Sequence, residues 1–285
     1  SSQPHYQSKL QTVIEKSGAM ASPLVTGRSE IHQQLEQSLL NWVDAPEHYD
    51  CLLYSSGFAA NNSVINSLFN NKNNNALLFQ DKLNHASLLE GGRNSQGLGH
   101  CKQYRFKHND FEHLEQLLKD KKTNFSANNE SKEIKTLVAT EGVFSMDGDA
   151  PNLSEFTSKV KLNNAWSMLD DAHGIGVLGK NGAGSLSAQN LSVADCNILV
   201  ITFGKAIGAQ GAAVIADKQT IEYLVNFSRE YIYSTHLSPI QAQMALLNIE
   251  MIQAESWRQQ KLHSNIRYFR DKMQNSDFEL MTSES

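Results

Sequence analysis

Cysteine is scarce in this 285-residue chain, which has three, at Cys51, Cys101 and Cys196. They lie far apart and form no CxxC pair, so their spacing supports neither a disulfide framework nor a thiolate zinc site. We therefore expect reduced thiols, as in a cytoplasmic protein.

Long apolar runs are also lacking, since none approaches the roughly 18 residues of a membrane span. The first residues, Ser1–His5, have neither the basic nor the apolar region of a signal peptide. We expect a soluble protein that does not contact membranes. A strand-like pattern begins at Phe278–Ser285 as the sequence stops, which indicates a fragment.

The chain has no excess of positive charge, with 25 Lys and Arg against 30 Asp and Glu and a net charge of −5. It therefore lacks the basic footprint of a protein that binds nucleic acid or anionic lipid. Its 40% hydrophobic residues are enough for a buried core. The length predicts one large domain or two ordinary ones.

Short apolar runs alternate with amphipathic stretches, which is typical of an α/β fold with a mostly parallel sheet sandwiched by helices. The predicted strands are Cys51–Tyr54, Ala76–Phe79, Gln103–Phe106, Thr136–Thr140, Trp166–Leu169, Ile198–Thr202 and Ala212–Ala216. The predicted helices are Ile31–Val43 with Ser29 as N-cap, Phe58–Leu68, Phe111–Leu118, Leu153–Val160 and one long helix in Gln241–Phe269.

Polar tracts at Asn70–Asn75 and Asn124–Ser131 are predicted to be loops. We expect a large domain over residues 1–250, and the beginning of a small C-terminal α+β domain over residues 251–285.

The segment Gly174–Gly179 matches the dinucleotide-binding pattern GxGxxG, and Asp195 lies at a suitable distance for a ribose hydroxyl. That mechanism needs a helix to begin at the glycines, and Lys180–Ser185 is a poor helix start. We interpret the segment as a glycine-rich turn beside another kind of site.

Other candidate groups follow predicted strands. Gly57 and Phe58 lie at the start of a predicted helix, where their backbone amides are able to bind a phosphate. The alternative is an ordinary N-cap turn without a ligand. Asp170 and His173 follow a buried strand. A buried carboxylate needs a partner, and a protonated ring nitrogen of a ligand is one candidate for Asp170. The alternatives are that the two residues bind a metal or lie in a solvated turn.

A lysine and a second histidine complete the set. Lys205 follows the β-branched strand Ile198–Thr202 and is flanked by glycines, which suits a Schiff-base nucleophile, although most lysines are surface charges. His85 is able to lie on an aromatic ring, although a lone histidine is more often structural. Together, these groups are the parts that pyridoxal 5′-phosphate (PLP) requires, and no metal is expected.

Five motifs, in the same order, resemble those of the α-oxoamine synthases, a family of fold-type I PLP-dependent transferases. They are Ser56–Asn61, Leu83–Ser87, Thr140–Asp149, Asp170–Gly174 and Thr202–Lys205. Phe203, Gly211–Val214 and Ile232–Thr235 most resemble the branch that forms 8-amino-7-oxononanoate.

The resemblance implies a role for each matching residue. Lys205 would form the Schiff base with PLP, and Asp170 would pair with the ring nitrogen. The other contacts would be His85 stacked on the ring, His173 and Ser145 near the phenolic oxygen, Gly57, Phe58 and Thr202 at the phosphate, and Ser234 and Thr235 at the phosphate of a neighbouring subunit. The protein would be a homodimer with shared active sites.

The activity implied is the decarboxylative condensation of L-alanine with a pimeloyl thioester of coenzyme A or acyl carrier protein, a step of biotin biosynthesis. Another α-oxoamine synthase acting on glycine or serine, or a truncated non-catalytic PLP-binding homologue, is the alternative. The segment Gly18–Gly27 departs from the glycine-rich family pattern. The family's N-terminal segment and most of its C-terminal domain are not in this sequence.

Overall fold

Seven strands form one sheet in a computed structural model that describes residues 18–69, 76–128, 134–274, 280 and 283. The strands are β1 (Tyr49–Tyr54), β2 (Ala76–Asp81), β3 (Lys102–Phe106), β4 (Lys135–Glu141), β5 (Trp166–Asp170), β6 (Ile198–Thr202) and β7 (Ala212–Asp217). Their order is β1-β7-β6-β5-β4-β2-β3. Five neighbouring strands, from β6 to β3, run parallel, and β7 pairs antiparallel with both β6 and β1.

Helices precede the first strand, connect the strands and follow the last one. They are α1 (Glu30–Trp42), α2 (Gly57–Leu68), α3 (Ala86–Gly97), α4 (Phe111–Asn128), α5 (Leu153–Leu162), α6 (Ser185–Ala188), α7 (Lys218–Phe227), α8 (Arg229–Tyr233), α9 (Pro239–Ala254) and α10 (Trp257–Met273). Ser29 is the N-cap of α1, as predicted. Side chains of Ser56, Asn152 and Asp217 accept backbone N–H groups at the starts of α2, α5 and α7.

The core lies on both faces of the sheet because successive strand residues point in opposite directions. In β2, Leu77 and Phe79 pack into one apolar cluster with α1, α4, α5 and α9, whereas Leu78 packs into the other with α2, α3 and α7. The predicted α/β sandwich with a mostly parallel sheet is therefore confirmed, and all seven predicted strands are present.

Two predictions about helices were wrong. The single helix expected in Gln241–Phe269 is divided into α9 and α10, because Glu255 leaves the helical region at φ −111° and ψ 62°. The expected loop Asn124–Ser131 is helical through Asn128, because Phe125 continues the apolar face of α4 and is 5% exposed. The rest of that tract, like Asn70–Asn75, lies outside the described residues.

The division at residue 250 stays a prediction. Helix α9 continues across that position, and α10 has no buried residue. The strand-like pattern at Phe278–Ser285 falls almost entirely outside the described residues. Within the part of the chain that the structure describes, no helix combines the length and the apolar character that a bilayer crossing requires.

Truncation of a core leucine tests the sandwich. Leu78 is fully buried in β2, so Leu78→Ala should lower the free energy of unfolding by about 2–5 kcal/mol, through lost burial and a residual cavity. Leu162→Ala is the matched control, since Leu162 is 82% exposed, and should change it by less than about 0.5 kcal/mol. Urea denaturation measures both, and equal effects would contradict the assigned core.

Candidate active site

A cavity of about 340 Å³ opens at the carboxyl ends of β4, β5 and β6, beside the start of α2. Ligands of open α/β sheets bind at this edge. The lining includes two carboxyl groups, two imidazoles and one amine, supplied by Glu141, Asp170, His85, His173 and Lys205.

The first turn of α2 meets the end of β6 at one side of the cavity. Gly57 is the first residue of this 12-residue helix, and a Cβ added there would lie 2.4 Å from Thr202 Cγ2. Only glycine permits this approach. The hydroxyl of Thr202 is buried and has no hydrogen-bond partner among the described residues. A helix N-terminus with a free hydroxyl beside it is suited to a phosphate.

Asp170 ends β5 at the floor of the cavity and is 4% exposed. Its Oδ1 accepts the backbone N–H of Ala172 at 3.0 Å, and its Oδ2 accepts Asn61 Nδ2 at 2.5 Å. Both donors are neutral, and no described cation forms an ion pair with this carboxylate. A buried carboxylate in this state attracts a cationic N–H group.

Lys205 and His173 lie together in the lining of the same cavity. Lys205 Nζ donates to His173 Nε2 at 2.6 Å. Burial of the imidazole, reinforced by the charge of Lys205, lowers the pKa of His173. A neutral His173 is therefore the acceptor that holds this amine at the cavity.

Glu141 is a second buried carboxyl group, paired in register with Asp170 across β4 and β5. Burial and the nearby charge of Asp170 raise the pKa of Glu141 to about 8. Its Oε1 accepts the backbone N–H of His85. At neutral pH this group is therefore mostly protonated.

Seven of the ten predicted site residues line this cavity. They are Gly57, Phe58, His85, Asp170, His173, Thr202 and Lys205. The structure does not bring the other three to the lining: Ser145 is exposed in the turn after β4, and Ser234 and Thr235 follow α8.

The sequence analysis assigned no role to three further residues of the wall. Asn61, Ser87 and Glu141 line the cavity and form hydrogen bonds within it. All three lie inside the motifs Ser56–Asn61, Leu83–Ser87 and Thr140–Asp149, so position in a motif was the signal that could have found them.

The glycine-rich segment after β5 is a turn. No helix begins within Gly174–Gly179, and a short 3-10 helix follows it. Gly174 of this segment and Gly184 beyond it lie close to Asp171, since a Cβ at either position would lie 2.2 or 2.1 Å from that carboxylate. Asp171 accepts the backbone N–H and the hydroxyl of Ser185 at 2.8 and 2.5 Å. The interpretation as a turn is confirmed.

A family comparison decides the class of the chain. The family model described as aminotransferase class I and II matches residues 3–285. The chain belongs to this family. The cavity at the strand ends is therefore the candidate active site of a class I and II aminotransferase-family protein.

Curated relatives resemble the chain more closely. It is 44% identical over 258 residues to an 8-amino-7-oxononanoate synthase of Vibrio cholerae, covering 90% of this chain and 60% of the relative. It is 43% identical to the enzyme of the same name in Aliivibrio fischeri, covering 91% and 62%. The chain thus spans about 60% of the length of these relatives.

Solved structures share the fold. A serine palmitoyltransferase of S. paucimobilis with a bound PLP–myriocin aldimine superposes with a TM-score of 0.85 at 26% identity, over 100% of this chain and 67% of that one. An 8-amino-7-oxononanoate synthase of Francisella tularensis gives 0.78 at 29% identity, over 100% and 75%.

The cavity fits PLP, which is bound in the serine palmitoyltransferase structure. Thr202 has an unpartnered hydroxyl beside the start of α2, which suits the phosphate. Asp170 has a buried carboxylate without a cationic partner among the described residues, which suits a protonated ring nitrogen. Lys205 presents an amine at the same cavity.

The titration of Glu141 has a measurable effect on stability. Its pKa is raised in the folded state, so Glu141 stays protonated there while it ionises in the unfolded chain, and the contribution of Glu141 to stability should fall as pH rises from about 4 to about 8. Glu141→Gln does not ionise and still accepts the N–H of His85. Its stability relative to the wild type should therefore increase over this range by up to a few kcal/mol.

Urea denaturation at pH 5 and pH 8 measures this difference. Glu47→Gln serves as the control because Glu47 is exposed, and it should follow the wild type at both pH values. Parallel curves for Glu141→Gln and the wild type would refute the raised pKa.

Proposed function

We propose that the protein is a PLP-dependent acyltransferase that condenses L-alanine with a pimeloyl thioester. The products are 8-amino-7-oxononanoate, carbon dioxide and the free thiol, as in biotin biosynthesis. The observation that carries the proposal is the cavity that combines Lys205, Asp170 and the Gly57–Thr202 contact. The identity of 44% to an 8-amino-7-oxononanoate synthase supports the choice of substrates.

Different residues of the chain would bind different parts of PLP. The amides of Gly57 and Phe58 and the hydroxyl of Thr202 would hold the phosphate. The carboxylate of Asp170 would hold a proton on the ring nitrogen, since an adjacent negative charge favours the cationic form. His85 would cover one face of the ring, and His173 would contact its phenolic oxygen.

When bound, PLP supplies an electron sink for the pair released as the α-proton of alanine leaves. Lys205 would accept that proton, as a base held at the cavity by His173. A bond then forms between the alanine α-carbon and the thioester carbonyl carbon while the thiol departs. The alanine carboxylate is lost as carbon dioxide, and a proton returns to the same carbon.

The assembly is part of the proposal. Ser145, Ser234 and Thr235 lie away from the lining of this cavity. We propose a homodimer in which Ser234 and Thr235 contact the phosphate of the neighbouring subunit, and in which Ser145 contacts the phenolic oxygen.

Product formation tests the substrates. Incubation with L-alanine and pimeloyl-coenzyme A or pimeloyl-acyl carrier protein should yield 8-amino-7-oxononanoate by mass spectrometry. Glycine or serine with other acyl thioesters should yield little product. Turnover of serine with a long-chain acyl thioester would instead indicate another α-oxoamine synthase, and PLP binding without condensation would indicate a non-catalytic homologue.

Removal of the amine should abolish covalent attachment of PLP. After borohydride reduction, peptide mass spectrometry should locate a pyridoxyl adduct on Lys205 in the wild type and none in Lys205→Ala. Lys180→Ala removes an exposed lysine outside the cavity lining and should retain the adduct. An adduct at another lysine in the wild type would refute the role of Lys205.

Loss of the charge at Asp170 should slow proton abstraction. Asp170→Asn keeps the size of the side chain, so we expect PLP to bind while exchange of the alanine α-proton, followed by NMR in D₂O, falls by orders of magnitude. Each pKa unit lost at the ring nitrogen corresponds to about 1.4 kcal/mol. Asp195→Asn, outside the cavity lining, should exchange normally. Unimpaired exchange in Asp170→Asn would refute the assignment.

A further inference from the structure

A chain of hydrogen bonds runs through the cavity wall from Asp170 to His85. Asn61 Nδ2 lies 2.5 Å from Asp170 Oδ2 and 2.9 Å from Ser87 Oγ. Ser87 Oγ in turn lies 2.8 Å from His85 Nδ1. Asn61 and Ser87 are each 1% exposed, so solvent water does not readily replace a partner that is lost.

The carboxylate fixes the direction of these bonds. An ionised carboxylate only accepts hydrogen bonds, so the amide of Asn61 must turn its NH₂ group toward Asp170. The reverse orientation would set an amide oxygen against a carboxylate oxygen. The second amide hydrogen then goes to Ser87 Oγ. Since this oxygen accepts from Asn61, its own hydrogen is available for His85.

A second contact supports the same direction independently. The backbone N–H of Ser87 lies 3.2 Å from His85 Nδ1 and is only able to donate. His85 is also the N-cap residue of α3, the position from which a side chain accepts backbone N–H groups. Two donors therefore converge on Nδ1, and the proton of the neutral imidazole is left on Nε2.

We propose that Asn61 and Ser87 are positioning residues that hold His85 in the Nε2-protonated tautomer and couple its orientation to the carboxylate of Asp170. The nitrogen of His85 that remains for a ligand is then a donor. A donor suits a carboxylate oxygen, such as that of the amino-acid substrate proposed above. The part concerning the substrate rests on the proposed function, whereas the tautomer does not.

The ring nitrogens report the tautomer directly. Nitrogen-15 NMR of histidine-labelled protein without PLP, at pH 8, distinguishes a protonated from a bare ring nitrogen, and His85→Gln identifies the signals of His85 by their loss. We expect a bare Nδ1 and a protonated Nε2 in the wild type. A proton on Nδ1, or on both nitrogens, would overturn the proposal, and this measurement needs no variant of the network.

Variants test the two links of the chain. Ser87→Ala and Asn61→Ala should shift the His85 signals toward a mixture of tautomers, and Ser87→Thr, which keeps the hydroxyl, should restore them. Ser63→Ala is the matched control, because Ser63 is a buried serine in α2 that bonds Ser228 outside this chain of groups. Unchanged signals in either alanine variant at the network would contradict its link.

Kinetics provide a separate test. Loss of one buried hydrogen bond should raise the KM for L-alanine about tenfold in Ser87→Ala, with PLP affinity retained and the Ser63→Ala values unchanged. A KM for L-alanine in Ser87→Ala equal to that of the wild type would overturn the inference that His85 donates to the substrate carboxylate. Failure of the wild type to bind PLP would refute the proposed function instead, and the tautomer measured without PLP would still decide the role of the network.

Discussion

The site depends on a carboxylate buried without a cation among the described residues. Asp170 lies at the end of β5 in the middle of the sheet, and its desolvation is offset by neutral donors, the Ala172 amide and the Asn61 side chain. Burial of a charge in this way is costly. Helix α2 must therefore lie over the end of β5, because that position brings Asn61 to the carboxylate. The same position brings Gly57 against Thr202.

Two adjacent acids have different surroundings because neighbouring residues at a strand end point to opposite sides. Asp170 lines the cavity. Asp171 points instead into the turn, where Ser185 binds both of its oxygens. Burial raises the pKa of Asp171 to about 7. Asp170 thus faces the ligand site, while Asp171 stabilises the glycine-rich turn next to it.

Backbone similarity and sequence identity bear on different questions. The serine palmitoyltransferase has a TM-score of 0.85, above the 0.78 of the Francisella tularensis synthase. Its sequence identity to this chain, 26%, is nevertheless below the 44% of the Vibrio cholerae relative. Because proteins of one fold act on different substrates, the sheet identifies the fold and does not identify the substrate. The proposal for L-alanine and a pimeloyl thioester therefore relies on the side chains that the sequence carries, and its test is product formation.

The sequence by itself determined the seven strands, the layered α/β class and the motifs, because the buried strands of a parallel sheet require continuous apolar runs bounded by polar residues. It did not predict the break at Glu255, where no glycine or proline marks the end of a helix. Only the tertiary structure decided that Asn61 meets Asp170 and Ser87 and that Glu141 meets His85, since these contacts join residues far apart in the chain. Hydrophobic periodicity in a sequence indicates which residues are buried. The hydrogen-bond partner of a buried residue depends on how the helices pack on the sheet.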